Sequence, residues 1–534
     1  MKKGIILTFA LCLSLILKSQ EEQVYIEYWD EAETKKRSEG KYKGGVEHGV
    51  WKYYYNDGQI QEKRTYSFGR LDGPAVTYFT NGKIEQKGYF EWNKPDSLFQ
   101  AYYYSGTPKE QGVFDQGEKV GIWKYWYPDS IPHMEEKYTD RSETLLITYW
   151  DASGQKQIVQ GDGKLEEYYD NGQLKAVETY TKGVMTGRSK TWYSDGVKRS
   201  EGNYLNGLKD STWNYYYTGG GLYKTTNFLK DSLDGAYAEY FDSGNLAIEG
   251  KFKNAKKEGK WIFYRREGHK EMEGNFSNGN RQGDWTYWFE NGTVQTKGKW
   301  NNGEEDGIWV YYYPGGELWR KGQFEKGKKS GEWVTYFENG KILQKGTYID
   351  GKEDGLWKSW YKNGNPKDEG FFKEGKIQGK WKGWYPDGAA NYEGVWENDQ
   401  KSGNWKYWYP TGRMQENAWY KDGALNGPYT SFSESGNPVE QGSYTEGKPD
   451  GSWIYYFPEG GKMREVTYDQ GKINGKSIIY HRRGGEPHLI EEYVNGKRDG
   501  KSREFSPRGN LIKEVEFENG RQVRVVKDNT MDGR

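Results

Sequence analysis

Aromatic residues and glycines recur along this chain with a period of 24 residues. Aligned on the residue, usually Gly, that precedes each aromatic run, the repeats are anchored at 49, 73, 97, 121, 145, 163, 187, 211, 235, 259, 283, 307, 331, 355, 379, 403, 427, 451, 475 and 500. If the anchor is position 0, position 5 is aromatic in all 20 repeats. Position 9 is Gly in 19 of the 20, with Ser130 as the exception. This regularity predicts one structural unit repeated along the chain.

Each repeat is predicted to be a β-hairpin. Positions 2 to 7 are rich in Trp, Tyr and Phe, which suit a pleated sheet. Asn-Gly or Asp-Gly often follows at positions 8 and 9, as at Asn363-Gly364, and is a strong hairpin signal. A second run ends with an aromatic near position 17, and a Gly-rich turn such as 326–331 returns the chain. Helical periodicity is absent.

A two-residue hairpin loop would place position 2 opposite position 15, and position 6 opposite position 11. The Trp at position 2 is then expected to cover the facing Gly. Positions 2, 6 and 17 would share one face, with position 5 on the other. The residues expected to define the repeat are the aromatics Tyr54, Tyr78, Trp288, Tyr336, Trp360 and Trp408 and the turn glycines Gly292, Gly340 and Gly364.

The predicted fold is all-β, an elongated single-domain array of about 20 antiparallel hairpins, a solenoid or rod. A chain of 534 residues normally suggests several domains, but the continuous period favours one. The predicted segments are a signal peptide (1–20), an N-terminal partial repeat or cap (21–48), a first group of repeats (49–162), a regular array (163–520) and a C-terminal tail (521–534).

The N-terminus is typical of an exported protein. Met1-Lys2-Lys3 precedes a largely apolar stretch from Ile5 to Leu17, which is too short to span a membrane and suits a secretory signal. Cys12, inside that stretch, is the only cysteine, and Leu11 before it fits a lipoprotein signal poorly. We therefore expect a periplasmic, outer-surface or secreted protein that is not a lipoprotein and has no disulfide.

Charge bears on the choice of partner, and hydropathy bears on whether the chain folds. The 78 basic residues balance the 78 acidic ones without forming a basic stripe, which argues against nucleic acid and against association with an anionic membrane. The mean hydropathy of −1.11 would fit a disordered chain, but the aromatic content of 17% and the strict period argue for a folded one.

The period is irregular at two places. The largest irregularity is 128–162, where residues 128–136 lack the turn Gly and the step from the anchor at 145 to the next is six residues short. This segment is interpreted as a degenerate repeat or, alternatively, as a hinge or contact point. Near the C-terminus, His481 and His488 flank a loop that contains Arg482 and Arg483. This second irregularity is interpreted as loop variation or, alternatively, as an anion or metal site.

No catalytic residue, metal site or cofactor is predicted. The five histidines, His48, His133, His269, His481 and His488, lack the spacing of a zinc site. Many carboxylates directly precede an anchor Gly, as in Asp306, Asp354 and Asp450, which turn chemistry explains. An enzyme would need a site at 128–162 or a carboxylate pair on a repeat face, and no pair stands out.

The tryptophans at position 2 are the candidate binding residues. Six of them recur at a constant step: Trp285, Trp309, Trp333, Trp357, Trp381 and Trp405. Such a row can form the core of a thin sheet. Alternatively, it can stack on sugar rings or grip the apolar side chains of a partner.

The repeat resembles the MORN repeat, and is closest to a bacterial variant in proteins often labelled as YwqK-type antitoxins. The resemblance rests on Asn339-Gly340, Gly346-Thr-Tyr348, Gly351 and Gly355-Leu-Trp357-Lys-Ser-Trp360, and covers roughly 25–520. It implies an array of antiparallel hairpins with roles in protein–protein contact, scaffolding and sometimes lipid association.

The sequence thus predicts an exported, non-enzymatic repeat scaffold that binds a protein partner through an extended β surface. A carbohydrate or cell-wall binder using the aromatic rows, and an antitoxin-like protein that neutralises a partner, are the alternatives. The export signal and the length of the chain fit a cytoplasmic toxin partner poorly.

Overall fold

The computed structural model describes residues 21–140 and 143–529, and all regular secondary structure in these residues is β-strand. The chain divides into two compact units, Met1–Lys256 (the first unit) and Lys257–Arg534 (the second unit). Within each unit, strands that follow one another in sequence pair antiparallel. The predicted all-β array of antiparallel hairpins is confirmed.

The strands between residues 22 and 253 are β1 Glu22–Tyr28, β2 Lys36–Lys43, β3 Val46–Tyr54, β4 Ile60–Ser67, β5 Arg70–Leu71, β6 Gly73–Tyr78, β7 Ile84–Glu91, β8 Lys94–Tyr102, β9 Pro108–Asp115, β10 Glu118–Trp126, β11 Pro132–Tyr138, β12 Thr144–Trp150, β13 Lys156–Val159, β14 Asp162–Tyr168, β15 Leu174–Thr181, β16 Val184–Met185, β17 Gly187–Trp192, β18 Lys198–Leu205, β19 Leu208–Tyr216, β20 Leu222–Leu229, β21 Ser232–Tyr240 and β22 Leu246–Lys253.

The strands between residues 256 and 528 are β23 Lys256–Tyr264, β24 Lys270–Ser277, β25 Asn280–Trp288, β26 Val294–Asn301, β27 Glu304–Tyr312, β28 Leu318–Glu325, β29 Lys328–Tyr336, β30 Ile342–Ile349, β31 Lys352–Trp360, β32 Pro366–Lys373, β33 Lys376–Trp384, β34 Ala390–Glu397, β35 Gln400–Trp408, β36 Met414–Lys421, β37 Ala424–Phe432, β38 Pro438–Thr445, β39 Lys448–Tyr456, β40 Lys462–Asp469, β41 Lys472–Tyr480, β42 Pro487–Val494, β43 Lys497–Phe505, β44 Leu511–Glu518 and β45 Arg521–Asp528.

The turn after the first strand of a repeat is a three-residue loop. In the repeat anchored at 283, the N–H of Phe289 donates to the carbonyl of Thr293 at 2.9 Å, and the N–H of Gly292 donates to the carbonyl of Phe289 at 3.0 Å. Gly292 closes the loop at φ 82°. A bulge between Tyr287 and Trp288 then shifts the register. Position 5 therefore lies opposite position 11, and the predicted pairing of position 6 with position 11 is wrong.

The two-residue turn that the sequence predicted at positions 8 and 9 occurs instead at positions 19 and 20. Asn302 and Gly303 have φ of 51° and 88° and join the paired residues Asn301 and Glu304. Two successive residues with positive φ are the mark of a type I′ hairpin turn. Lys326 takes the first of these positions in the next repeat with φ 49°, so the turn forms there without Asn.

A second bulge, at the anchor, directs the tryptophan onto the preceding repeat. Three residues beginning at Gly283 (φ 70°) oppose Gly274 alone. Trp285 is registered opposite Gly298, as predicted, but its indole lies over Gly274, where a Cβ would overlap the ring. Gly298 is covered by Trp309 of the next repeat. The prediction that each Trp covers its own facing Gly is therefore wrong, because the bulge displaces the side chain by one strand.

The core is a ladder of aromatic rings on one face of the sheet. Trp309 packs against Phe324, which packs against Trp333, and Trp333 packs against Tyr348, with ring centroids 5.8, 5.1 and 6.1 Å apart in edge-to-face geometry. The first three of these residues are buried. Each ring thus contacts its own repeat and its neighbour, and this contact gives the near-neighbour stabilisation expected of a repeat protein.

Position 6 adds a hydrogen bond between repeats that the sequence did not reveal. A Tyr at this position donates its hydroxyl to the backbone carbonyl at position 5 of the next repeat. The pairs are Tyr55–Tyr78, Tyr103–Trp126, Tyr127–Trp150, Tyr169–Trp192, Tyr193–Tyr216, Tyr217–Tyr240, Tyr313–Tyr336, Tyr361–Trp384, Tyr385–Trp408 and Tyr409–Phe432. Arg265 makes the equivalent bond to Trp288 at 3.3 Å.

The aromatics predicted to define the repeat each end a strand at the first bulge. Tyr54, Tyr78, Trp288, Tyr336, Trp360 and Trp408 are the last residues of β3, β6, β25, β29, β31 and β35, and all are partly buried. The turn glycines Gly292, Gly340 and Gly364 have φ of 82°, 78° and 97°. These positions therefore fix the end of the first strand and the entry into the loop.

The irregular segment keeps its hairpins, within the described part of 128–162. Ser130 replaces the turn Gly with φ 76°, and its N–H donates to the carbonyl of Tyr127 at 3.0 Å. β13 has only four residues, and its pairing with β12 is correspondingly short. Ile158 is fully buried and Leu165 is 5% exposed. Aliphatic side chains thus form the core where the Trp ladder is missing.

Candidate binding groove on the aromatic face

Four of the six candidate tryptophans are buried. Their exposed fractions are 1% for Trp285, 3% for Trp309, 5% for Trp333 and 2% for Trp405. Each indole N–H of the six also donates to a backbone carbonyl ten residues earlier, at 3.0–3.3 Å. Trp357 and Trp381 differ from the other four because they are partly exposed.

The difference arises at position 4, two residues after the Trp. Tyr287 and Tyr407 stack on Trp285 and Trp405 with ring centroids 6.1 and 5.9 Å apart. Of the eleven repeats with Trp at position 2, eight carry an aromatic residue at position 4. The three that do not are consecutive and carry Thr335, Ser359 and Gly383. Trp333 is nevertheless covered, because Tyr311 of the preceding repeat lies 6.3 Å away.

The missing aromatics leave a groove of about 310 Å³ in the second unit. Its aromatic lining is Tyr348, Trp357, Phe372 and Trp381, and its polar lining is Gln344, Glu353, Lys358, Ser359 and Asp368. A concave aromatic site with a few polar groups is typical of a small-molecule or side-chain binding pocket.

Hydrogen bonds fix the acidic side of the groove. Asp368 accepts from the hydroxyl of Tyr392 at 2.7 Å and from that of Ser359 at 3.1 Å. Burial, reinforced by the nearby Glu353 carboxylate, raises the pKa of Tyr348 to about 12. The Nζ of Lys358, on the same strand, pairs with Glu369 at 3.1 Å. Two carboxylates therefore border the groove. Lys358 is paired with Glu369, and the Lys329 ammonium lies 4.7 Å from the ring centroid of Tyr348.

Most buried ladder tryptophans carry a cation of their own over the ring. The residue four before the Trp is Lys or Arg in six repeats, with its charged group 3.8–4.9 Å from the ring centroid: Lys119 over Trp123, Lys209 over Trp213, Lys257 over Trp261, Arg281 over Trp285, Lys329 over Trp333 and Lys401 over Trp405. At Trp357 the same position is Glu353. Position 22, which the sequence did not single out, thus helps to cover the Trp.

A second, larger groove on this face is occupied by the protein's own cation. It has a volume of about 640 Å³ and includes Trp309, Tyr311 and Trp319 in its lining. The Arg320 guanidinium lies 4.3 Å from the ring centroid of Tyr311 and 4.6 Å from that of Trp319. Burial raises the pKa of Glu305 at its edge, and Arg320 partly offsets that rise.

The opposite face of the first unit presents an apolar strip. Tyr89, Leu98, Val113 and Ile122 are 44%, 50%, 41% and 51% exposed. Leu98 and Val113 are directly paired across β8 and β9. Each of the four adjoins in sequence a residue of the aromatic face, so alternation along the strand places all four on the other face.

Two of the carboxylates considered for chemistry have structural partners. The Asp354 carboxylate accepts from the N–H of Glu374, and that of Asp450 accepts from the N–H of Gln470, each at 3.2 Å. These carboxylates stabilise turns, as the sequence predicted. Within residues 21–140 and 143–529, no group of three or more His, Cys, Asp or Glu side chains is arranged to hold a metal ion.

The histidine loop near the C-terminus also consists of residues with structural partners. Nε2 of His481 lies 2.9 Å from the carbonyl of Phe505, the contact that Tyr makes in other repeats. The rings of His481 and His488 are 4.5 Å apart, and Arg482 is paired with Glu459 through two hydrogen bonds. His481 therefore replaces the inter-repeat Tyr.

Comparison with known proteins gives one family and no curated relative. A search of curated proteins finds no match. Solved structures that match include the TcdB2-TccC3-TEV crystal structure (10% identity, 95% of this chain, 31% of that chain, TM-score 0.12). A Photorhabdus luminescens Tc holotoxin pore also matches (12%, 90%, 29%, 0.12). The chain spans about a third of the length of these structures.

In the described residues, no helix is long and apolar enough to cross a lipid bilayer.

The model of the MORN repeat variant matches residues 47–67, 71–91, 161–182, 185–206, 233–254, 281–302, 305–326, 329–350, 353–374, 425–446 and 498–519. These eleven stretches extend from one end of the array to the other and share the hairpin described above. The chain is therefore a repeat protein built of MORN repeat variants.

Proposed function

We propose that this protein is an exported, non-enzymatic scaffold that binds a protein partner through its extended β surface. The observation that carries this proposal is the apolar strip of Tyr89, Leu98, Val113 and Ile122, each about half exposed on successive strands. Contiguous exposed apolar surface with aromatic content is typical of protein–protein interfaces. A regular sheet also supplies a rigid surface on which many such contacts can be repeated.

The non-enzymatic part of the proposal rests on the roles of the polar residues. The Asp354 and Asp450 carboxylates, each directly before an anchor Gly, are engaged in turns. His481 bridges two repeats. These three polar groups thus already have structural partners, while the apolar and aromatic surfaces differ from repeat to repeat.

Export is proposed from the sequence of residues 1–20, which lie outside the described residues. A charged start followed by a short apolar stretch is the pattern of a secretory signal. The partner is then expected in the periplasm, at the outer surface or outside the cell.

The test is crosslinking with mass spectrometry on the full chain in its native cell envelope. We expect a defined protein partner with crosslinks concentrated near β7–β10, and we expect them to disappear in the double variant Leu98→Glu, Ile122→Glu. Val50→Glu is the matched control, because Val50 is 56% exposed at the same repeat position as Leu98 and Ile122. A partner that still crosslinks to the double variant, or no protein partner at all, would refute the proposal.

Carbohydrate binding is a second candidate, favoured by the partial exposure of Trp357 and Trp381. Indole faces stack on sugar rings, and nearby carboxylates accept hydrogen bonds from hydroxyls. Glycan that co-purifies from the envelope in place of protein would support it. An antitoxin-like role would require a toxin as the crosslinked protein.

A further inference from the structure

Trp357, like Trp381 beside it in the groove, lacks both of the covers that the other ladder tryptophans have. Its position-4 residue is Ser359 instead of an aromatic. The residue four before it is Glu353, where six other repeats place a Lys or Arg over the ring. The repeat at Trp333, one period earlier, shows what the second cover does: the Lys329 ammonium lies 4.9 Å from that ring centroid.

Trp381, which follows Ile377, lines the same groove and is also partly exposed. Two repeats that carry a carboxylate in place of the cation are closed in other ways. Trp51 follows Glu47, but Tyr25 of β1 packs on its ring at 5.7 Å. Trp309 follows Glu305, but Tyr311 stacks on it at 6.1 Å. Neither tryptophan is more than 3% exposed. The groove at Trp357 is thus distinguished by an accessible indole together with a carboxylate in the place of the cation.

Resting on the proposed function, we propose that this groove accepts a positively charged side chain, Lys or Arg, from the partner protein. The partner would supply the cation that the chain itself supplies in six other repeats. The negative face of the indole attracts a cation, and a desolvated cation–ring contact is a strong one. Glu353 and Asp368 add charge complementarity, and a guanidinium or ammonium can donate to both carboxylates.

The surrounding geometry favours a cation over a neutral ligand. Ser359 and Tyr392 hold the Asp368 carboxylate at the rim through hydrogen bonds of 3.1 and 2.7 Å. Both donors are neutral hydroxyls, so neither bond adds a positive charge at the rim. Lys358 does not neutralise the groove, since its Nζ pairs with Glu369. A single long side chain suits a groove of about 310 Å³.

The experiment measures binding of an octalysine peptide to the full chain by titration calorimetry. Two variants fill the groove with groups that the chain already uses: Glu353→Lys restores the internal cation, and Ser359→Tyr restores the aromatic cover. We expect each to weaken octalysine binding by about tenfold or more, the scale of one good cation–ring contact. Both should fold, because the same residue pairs occur in other repeats.

Glu332→Lys is the matched control, because it makes the same change in net charge at an exposed residue immediately before Trp333, on the other face. We expect it to change the affinity by less than about twofold. The Nζ-acetylated octapeptide should not bind measurably. Equal weakening by Glu353→Lys and Glu332→Lys, or equal binding of the acetylated peptide, would overturn the inference.

Three further outcomes separate this inference from the proposed function. If a β-linked oligosaccharide binds at Trp357 and octalysine does not, the groove is a sugar site and the inference fails. If Glu353→Lys leaves octalysine binding unchanged while the envelope crosslinks persist, the inference fails and the scaffold function stands. If octalysine binding depends on Glu353 but no protein crosslinks are found, the scaffold function fails and the cation preference of the groove stands.

Discussion

The regular repeats from 283 to 409 and the irregular segment from 127 to 189 solve the same packing problem differently. In the first region a Trp covers a Gly of the preceding repeat and packs against an aromatic ladder. In the second no Trp occupies position 2, and Ile158, Leu165 and Ser189 are buried instead. Yet the hairpin turns persist, with Ser130 in the left-handed conformation of the missing Gly. Turn geometry therefore specifies the hairpin, and the ladder adds packing between repeats.

Substitution of single core side chains should have the largest effect on the local free energy of unfolding in both regions. We expect Trp285→Ala to lower the local free energy of unfolding by about 3–5 kcal/mol and Ile158→Ala by about 2–5 kcal/mol, since both side chains are fully buried. Trp357→Ala should cost about 1–2 kcal/mol less than Trp285→Ala, because part of that indole is already exposed.

Hydrogen exchange with mass spectrometry on the full chain measures these local free energies repeat by repeat. A loss of protection spread evenly over all repeats would contradict the near-neighbour model. Equal losses for Trp285→Ala and Trp357→Ala would mean that the groove at Trp357 is closed in solution.

The hairpin turn offers a reciprocal test at position 9. Gly340 has φ 78° and no neighbour that a Cβ would meet, so Gly340→Val should destabilise its hairpin by about 1–3 kcal/mol through backbone strain alone. Ser130 has nearly the same φ, 76°, so Ser130→Gly should stabilise the irregular hairpin by up to about 1–2 kcal/mol. Local exchange rates in β29–β30 and β10–β11 give both values. A stabilising Gly340→Val or a destabilising Ser130→Gly would exclude the assigned turn.

The inter-repeat tyrosine should have a smaller effect, similar in the two regions. Tyr313→Phe and Tyr127→Phe each remove a hydroxyl that donates to the next repeat, at 2.8 and 3.1 Å. We expect a loss of about 1 kcal/mol in each case. Phe337 has no hydroxyl at the same position, so Phe337→Leu serves as a control for ring packing alone. The measurement is hydrogen exchange of the amides that flank Tyr336 and Trp150. Unchanged exchange there would mean that this hydrogen bond does not stabilise the contact between repeats.

Much of the fold could be read from the sequence because its signals are local. The 24-residue period, the aromatic strand ends such as Trp288 and the turn glycines such as Gly292 each follow from a residue type at a fixed spacing. The register could not be read to the same depth. Asn-Gly suits both a two-residue and a three-residue loop, and only the bulges decide between them.

The candidate site was only partly readable for the same reason. The sequence singled out the tryptophans but did not separate Trp357 and Trp381 from the buried four. The distinguishing residues were visible: Ser359 and Gly383 two residues after the Trp, and Glu353 four residues before it. Their meaning depends on the anchor bulge, which brings the indole of one repeat over the preceding one. Without that register, a Lys or Glu at position 22 cannot be distinguished from the other charged residues near turns.

The smallest expected effect is a pH dependence confined to the irregular segment. His133 lies between the rings of Tyr127 and Tyr149, with centroids 4.3 and 5.2 Å away. Burial there lowers the pKa of His133 below 6.5, and the carboxylates of Glu136 and Glu167 only partly oppose the shift. The folded segment therefore holds the proton less tightly than the unfolded chain does.

Stability from this group should be complete above about pH 6.5 and should fall as the pH drops below that value towards the lower pKa of the folded state. Exchange free energies of β11 and β12, compared at about pH 7.5 and about pH 5.5, should show the loss. His133→Gln should abolish it, and the repeat anchored at 283, which contains no histidine, should not show it. The regular repeats from 283 to 409 contain no histidine. An equal pH response in both regions would therefore mean that groups other than His133 cause it.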